Sequence, residues 1–153
     1  MSDSSGLQPD AELVRSEFNA PDDEVLYRHV HPTHWVFDDG AGGYRLSTAF
    51  MMIETGDDGL SSYAETLLKE RSVAPEDILP GAEYGLASIT SGDARGQACD
   101  VVFSPDKVLP INFAHMLICL SSADLSRNQR RKLSKALCEF LTILKPPHVA
   151  DRS

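Results

Sequence analysis

The chain has 153 residues, of which 42% are hydrophobic and 24% are charged, and its formal net charge is −9. This length suits one domain with one hydrophobic core, and the negative charge argues against nonspecific binding to nucleic acid or to an anionic membrane. No apolar run approaches the roughly 20 residues of a membrane-spanning helix, and the N-terminus lacks the basic and apolar regions of a signal peptide. We therefore expect an acidic, soluble, cytoplasmic protein with no membrane partner.

The N-terminal half is predicted to contain one short helix followed by short strands. The acidic stretch that begins at Asp10 predicts a helix with Leu13, Val14 and Phe18 on one side. β-type runs end at Pro32 and at a glycine-rich turn over residues 38–43. The predicted strands cover residues 24–31, 33–37 and 44–53.

The C-terminal half is predicted to alternate helices with strands. Ser62 and Glu65 have the spacing of a capping box at the start of a helix over residues 60–72. A helical turn over residues 75–79 follows, and then three strands, the last of which is apolar on both faces and is expected to be central. These three predicted strands cover residues 84–90, 98–103 and 114–120.

The clearest predicted element is the last helix, over residues 126–144, which ends before Pro146. Ser126 and Gln129 form its capping box. Its predicted buried stripe consists of Leu133, Leu137, Phe140, Leu141 and Leu144.

These segments predict an α+β (mixed) fold, in which two main helices pack on a single sheet of about five or six strands. Residues 1–9 are predicted to be disordered, residues 10–145 to form a single globular domain, and residues 146–153 to be a C-terminal tail. The cysteines are odd in number and show no C-x-x-C spacing, which predicts reduced, buried thiols. They are Cys99, Cys119 and Cys138.

Three of the five histidines lie close together, at His29, His31 and His34, beside the only tryptophan. Strand alternation places His29 and His31 on one face and Arg28 on the other. Two imidazoles separated by one residue can chelate a metal, which makes the three histidines weak metal candidates. A half-exposed strand surface or an acid–base site would use the same residues. We expect no metal and no cofactor.

Arg28 is a candidate anion clamp, because a planar guanidinium on a rigid strand suits a phosphate or carboxylate. Arg45, with the Ser47 and Thr48 hydroxyls on a neighbouring strand, would complete an anion pocket. The alternative is an arginine on an exposed strand face. His115 is either a core residue or a site residue. The candidate catalytic residues are Arg28, His29, His31, Ser47 and His115.

Several short motifs between about residues 25 and 140 resemble those of a family of small bacterial proteins that carry no assigned function. The motifs are Leu-Tyr-Arg, Ser-Thr-Ala-Phe and Leu-Ser within residues 26–61, Pro-Glu-Asp-Ile-Leu at 75–79, Tyr-Gly-Leu-Ala at 84–87 and Asn-Phe-Ala-His at 112–115. The resemblance implies that recurring family positions are occupied by Arg28, Pro32, Ser47, Phe50, Ala114 and His115.

Arg28 followed by Ser47-Thr48-Ala49 also resembles, more weakly, the ADP-ribosyltransferase-like folds. Those folds hold a dinucleotide with a strand arginine or histidine, continue to a Ser-Thr-Ser strand and end with a catalytic glutamate. No Glu-x-Glu or Gln-x-Glu occurs after Thr90, and Glu139 falls in the predicted last helix. The chain therefore lacks the third part of that pattern.

Five basic residues lie in the first half of the last predicted helix: Arg127, Arg130, Arg131, Lys132 and Lys135. Cations near a helix N-terminus oppose the helix dipole, so another interaction is expected to favour them. The alternatives are a solvated face, the acidic N-terminal segment of the same chain, an acidic protein partner or RNA, of which RNA is least favoured because no aromatic platform accompanies the charges. The residues expected to bind a partner are Arg127, Arg130, Arg131 and Lys135.

Two functional hypotheses follow from the sequence. The first is a noncatalytic accessory or protein-interaction domain that works with a protein partner encoded in the same bacterial gene cluster. The second is a small enzyme that acts on a nucleotide-like or phosphorylated substrate at the Arg/His patch, either as an ADP-ribosyltransferase or with help from a metal.

Overall fold

The computed structural model describes residues 16–54, 56–105 and 111–148. The described strands are β1 (Val25–Val30), β2 (Trp35–Asp38), β3 (Gly43–Leu46), β4 (Leu60–Ala64), β5 (Gly85–Thr90), β6 (Cys99–Phe103), β7 (His115–Leu120) and β8 (Thr142–Lys145). The described helices are α1 (Glu65–Glu70), α2 (Ser91–Gly96) and α3 (Arg127–Cys138). Short 3-10 turns cover Pro32–His34, Asp39–Ala41, Pro75–Ile78 and Asn112–Ala114.

Six strands form one antiparallel sheet in the order β6-β7-β4-β1-β5-β8, and β2 pairs with β3 in a separate hairpin. This arrangement confirms the predicted α+β fold with one main sheet of six strands. None of the described helices is long and apolar enough to cross a membrane. The predicted disordered segment 1–9, most of the first predicted helix and the last residues of the predicted C-terminal tail lie outside the described residues.

β1 lies in the interior of the sheet, between β4 and β5. It pairs with β5 along its whole length, from Val25 opposite Thr90 to Val30 opposite Gly85. Its pairing with β4 is shorter and ends where Tyr27 lies opposite Tyr63. The two strands therefore part in the half of β1 that carries Arg28 and His29.

The predicted central strand, residues 114–120, is instead β7, which lies second from one edge between β6 and β4. Met116 and Ile118 are buried on one face, whereas Leu117 on the other face is only half-buried. A strand with apolar residues on both faces can therefore lie near the edge of this sheet as well as in its middle. The strand β1 was predicted, but its central position was not, because it carries an arginine and a histidine.

The prediction of a helix over residues 60–72 is wrong for its first residues, because Leu60–Ala64 form β4. Ser62 is fully buried and its Oγ donates a hydrogen bond to the Met116 carbonyl at 3.3 Å, so it caps no helix. α1 begins at Glu65, and the distant Glu24 carboxylate accepts hydrogen bonds from the Thr66 N–H and Oγ1, both at 2.7 Å. A carboxylate at a helix N-terminus satisfies a free N–H and complements the dipole, as Ser62 was expected to do.

The strand predicted over residues 44–53 ends at Leu46. Residues 47–52 form consecutive turns, in which the Phe50 N–H bonds the Ser47 carbonyl and the Met52 N–H bonds the Ala49 carbonyl. The segment after β3, residues 47–54, buries three apolar side chains in the core: Phe50, Met51 and Ile53. Burial of apolar groups explains the hydrophobic run without a strand.

The last helix is shorter than predicted, because α3 ends at Cys138 and the chain continues into the edge strand β8. The predicted Ser126–Gln129 capping box is confirmed, with bonds of 3.1 and 2.7 Å. The predicted buried stripe is correct at Leu137, which is fully buried, and wrong at Phe140 and Leu144, which are 42% and 50% exposed. These two residues lie beyond the helix, so the 3.6-residue periodicity no longer orients them.

We predict that Leu137→Ala lowers the free energy of unfolding by about 2–5 kcal/mol, because it leaves a cavity beneath α3. Leu144→Ala is the matched control, and since Leu144 is half exposed we expect a loss under about 1 kcal/mol. Urea denaturation measures both. Equal losses would show that α3 does not pack through Leu137.

Candidate functional site

Arg28 lies on a central strand and not on an edge strand or an exposed face. Its Nη1 donates a hydrogen bond to the Ser61 carbonyl at 3.0 Å, beyond the point where β1 and β4 stop pairing. Its guanidinium carbon lies 4.5 Å from the centre of the Phe50 ring. The side chain thus holds a strand carbonyl and contacts an aromatic ring of the 47–54 segment.

The Arg28 guanidinium has no counterion among the described residues. Its Nε is buried and makes no hydrogen bond. Two other arginines are paired with carboxylates: Arg45 lies 2.6 Å from Asp38 and Arg95 lies 2.8 Å from Asp22. Burial lowers the pKa of Arg28 to about 10, so the group is still charged at neutral pH. A buried charge without a partner is costly.

The expected pocket of Arg28, Arg45 and two hydroxyls does not form as predicted. Arg45 belongs to the β2–β3 hairpin, where its Nε donates to Asp38 and holds the pKa of that carboxyl below its usual value. Ser47 lies in a turn, and its Oγ accepts a hydrogen bond from the Ala49 N–H at 3.1 Å. The Ser-Thr-Ser strand implied by the ADP-ribosyltransferase resemblance is likewise replaced by this turn.

His29 and His31 lie on the same side, as alternation predicts, and both contact the Tyr84 ring, with ring centres 5.3 and 5.2 Å away. His31 is the N-cap of the following 3-10 turn, and its Nδ1 accepts a hydrogen bond from the Thr33 N–H at 3.1 Å. His34 instead packs edge-on against Phe50, with ring centres 5.3 Å apart. Phe50 is therefore in contact with both His34 and Arg28.

The three histidines do not form a metal centre in the described part of the chain. No three His, Cys, Asp or Glu side chains of that part are grouped so that they could hold an ion. His31 Nδ1 is occupied by the turn, and His34 contacts a different aromatic residue from His29.

The imidazoles of His29 and His34 resist protonation. Burial lowers the pKa of each below the usual 6.5, and the charges of Arg28 and His31 lower it further. Arg28 and His34 both contact Phe50, whereas His29 lies on the other face of β1 and contacts Tyr84. No acidic side chain contributes to the shifts at His29 or His34.

His115 is fully buried and bonded within the sheet. Its Nδ1 lies 3.0 Å from the Ser104 carbonyl and its Nε2 lies 2.9 Å from Ser61 Oγ. It lies opposite Tyr63 in the ladder, and the register places Tyr63 on the face that also carries Tyr27 and His29. Arg28 points to the other face. The structure does not bring the five candidate catalytic residues together in one pocket.

The cysteines are free, as predicted, and are poor nucleophiles. Cys99 is buried, whereas Cys119 and Cys138 are half-buried. Desolvation raises the pKa of Cys99 to about 11 and raises the pKa of each of the other two thiols. All three are therefore protonated at neutral pH.

The five basic residues of α3 differ in their contacts. Arg127 Nη2 lies 3.5 Å from a Glu54 carboxylate oxygen, and Arg130 Nη1 donates to the Leu125 carbonyl at 2.6 Å. Arg130 is partly buried, so it is a weaker candidate for partner binding than predicted. The side chains of the other three are exposed and make no ion pair or hydrogen bond with the described residues. We call these three, Arg131, Lys132 and Lys135, the basic face.

A cavity of about 230 Å³ adjoins the basic face. It is lined by residues of α3 and of the 47–54 segment, namely Thr48, Ala49, Met52, Arg131 and Ser134. Ser134 Oγ donates to the Thr48 carbonyl at 2.6 Å and ties the two elements together. Sequence reasoning missed this cavity because it depends on the turns at residues 47–52, which were predicted as a strand.

No protein-family model matches the chain, and comparisons with curated proteins and with solved structures find no match either. The functional interpretation therefore depends on the site geometry.

We predict that acidification below about pH 6.5 destabilises the protein through His29 and His34. In the unfolded chain the two histidines take up protons near the ordinary histidine pKa, whereas in the folded chain their pKa is lower. The free energy of unfolding therefore decreases as the pH is lowered. His34→Gln is expected to reduce this fall, measured by urea denaturation between about pH 7.5 and pH 5.5. The control is His148→Gln at an exposed position. An unchanged pH dependence in His34→Gln would contradict the prediction.

Proposed function

We propose that the protein is a noncatalytic interaction protein that binds an acidic segment of a protein partner on the basic face of α3. One observation carries the proposal: Arg131, Lys132 and Lys135 are exposed and have no acidic partner among the described residues. This is unusual for a chain with 23 acidic and 14 basic residues.

The contrast with other surface bases supports a role in binding. Arg45, Lys69, Arg95 and Arg127 each lie within 4.0 Å of a carboxylate. Among the residues that the structure describes, no carboxylate pairs with the basic face, although acidic residues outnumber basic ones in the chain. A cluster of unpaired cations gives a local field that steers an acidic partner to this surface.

The spacing of the three residues suits a peptide or helix laid along α3. Arg131 and Lys135 are four residues apart, and Lys132 and Lys135 are three apart, so all three lie on one side of the helix. The adjoining cavity has an apolar part at Ala49 and the adaptable side chain of Met52. We infer that the partner segment carries acidic residues and one small apolar side chain that enters this cavity.

The other functional classes have less support. A nucleic acid is disfavoured by the net charge of −9, and no aromatic side chain lines the cavity beside the basic face. An enzyme that uses the five candidate catalytic residues as one centre is disfavoured because Arg28 and His115 lie on opposite faces of the sheet.

We predict that the double charge reversal Arg131→Glu/Lys135→Glu weakens partner binding by about tenfold or more, because two attractions become repulsions. The tagged wild type is used to isolate a stoichiometric partner from native lysate, and the affinity of the purified partner is then measured for each variant. The expected partner binds through an acidic segment, and its affinity falls as the salt concentration rises.

The control variant is Arg45→Glu/Lys69→Glu, which makes the same change in net charge on other elements. It is expected to bind nearly as well as the wild type. Equal weakening by both variants, or undiminished binding by Arg131→Glu/Lys135→Glu, would contradict the proposal. Tighter partner binding after removal of the acidic N-terminal residues would instead indicate that this segment competes for the basic face.

A further inference from the structure

We infer that the basic face of α3 also binds a second copy of this chain, which presents its own acidic turn. This inference rests on the proposed function, because it assigns a second acidic occupant to the same basic face. The acidic turn consists of Glu54, Asp57 and Asp58, three exposed residues that precede β4. The Asp57 N–H donates to the Glu54 carbonyl at 3.1 Å, and the Asp57 carboxylate accepts a hydrogen bond from the Glu54 N–H at 3.0 Å.

The acidic turn lies beside the first turn of α3. A Glu54 carboxylate oxygen is 3.5 Å from Arg127 Nη2, and all three acidic residues line a cavity of about 240 Å³ together with Arg130. Arg130 makes no ion pair with a described carboxylate, and Asp57 has no basic partner among the described residues. The acidic turn therefore carries negative charge that the bases next to it do not balance.

The acidic turn and the basic face lie on the same side of α3. Arg127, Arg131 and Lys135 follow one another at intervals of four residues, so they form one row along the helix. Arg127 contacts the acidic turn, whereas Arg131 and Lys135 belong to the basic face. The helical rise places these two residues about 6 Å and about 12 Å along the axis from Arg127. A negative and a positive patch are thus neighbours on one surface.

A surface with two neighbouring patches of opposite charge is complementary to a second copy of itself. A two-fold axis between the patches lays the acidic turn of each copy on the basic face of the other, so one interface contains the same contact twice. The net charge of −9 repels the copies at long range, so the dimer is weak and forms at high protein concentration. An acidic partner with higher affinity displaces the second copy from the basic face.

The test is sedimentation equilibrium of the purified full chain between about 5 and 500 µM, where we expect the wild type to form a reversible dimer. Arg131→Glu/Lys135→Glu and Glu54→Lys/Asp58→Lys are each expected to weaken the dimer by at least about tenfold. The second variant separates local contact from general repulsion, because it makes the net charge less negative. Loss of repulsion alone would strengthen its dimer, and that result would overturn the inference.

The control variant Asp39→Lys/Glu76→Lys makes the same change in net charge at exposed positions on two other elements. We expect it to dimerise at least as well as the wild type. Equal weakening by this control and by the acidic-turn variant would overturn the inference.

Mixing the two charge-reversed variants tests the contact itself. In the mixture the reversed basic face of one chain meets the reversed acidic turn of the other, and the second contact keeps its natural charges. We expect a heterodimer with an affinity within about threefold of the wild-type dimer. If Glu54→Lys/Asp58→Lys does not fold, Asp58→Lys takes its place in the mixture. A monomeric wild type at every concentration, or no recovery on mixing, would overturn the inference.

The outcomes also separate this inference from the proposed function. A monomeric wild type whose lysate partner still depends on Arg131 and Lys135 would overturn the inference and leave the proposed function in place. Recovery on mixing, with no different protein isolated from the lysate, would support the inference and contradict the proposed function.

Discussion

The structure depends on the position of β1 in the middle of the sheet, where one strand supplies both core and charge. Leu26 and Val30 are fully buried in that strand, and Arg28 lies between them on the same face. β1 pairs with β5 throughout but leaves β4 after Tyr27, and the Arg28 guanidinium bonds the Ser61 carbonyl of β4 beyond that point. The Ser61 carbonyl is not paired with β1 and needs a hydrogen-bond donor, and the Arg28 guanidinium needs acceptors. The hydrogen bond between them therefore satisfies the carbonyl and one N–H of the guanidinium.

Much of the fold could be predicted from sequence because its signals are local. The β1, β5, β6 and β7 segments, the 3-10 turn at residue 75 and the Ser126 cap of α3 were all predicted close to their observed places. The errors have a common cause in contacts between residues distant in the chain. The carboxylate of Glu24 accepts a hydrogen bond from the N-terminus of α1 although it lies 42 residues before Thr66 in the chain. The apolar residues after Leu46 are explained by burial in the core and not by a strand. Neither contact has a sequence periodicity that would reveal it.

The sequence could identify the residues of the candidate sites, but it could not show how these residues are placed relative to one another in the fold. The sequence singled out Arg28, the histidines and the basic residues of α3, since unusual charge in an apolar or acidic context is visible without a structure. It could not show that Arg28 and His115 lie on opposite faces, because strand order determines that. Nor could it show that Arg130 is partly buried and bonded to a carbonyl while Arg131 is free of ion pairs among the described residues. The two remaining features, the basic face and the half-buried Arg28, belong to different elements, α3 and β1.

The most direct measurement of the central claim, that the basic face binds an acidic protein segment, is site-specific photo-crosslinking from Lys132, in the middle of that face. A photoreactive residue at Lys132 is compared with the same residue at Lys69 on α1. We predict a salt-sensitive adduct from position 132, mapped by mass spectrometry to an acidic segment of one partner, and no such adduct from position 69. Equal adducts from both positions, or none from position 132, would contradict it.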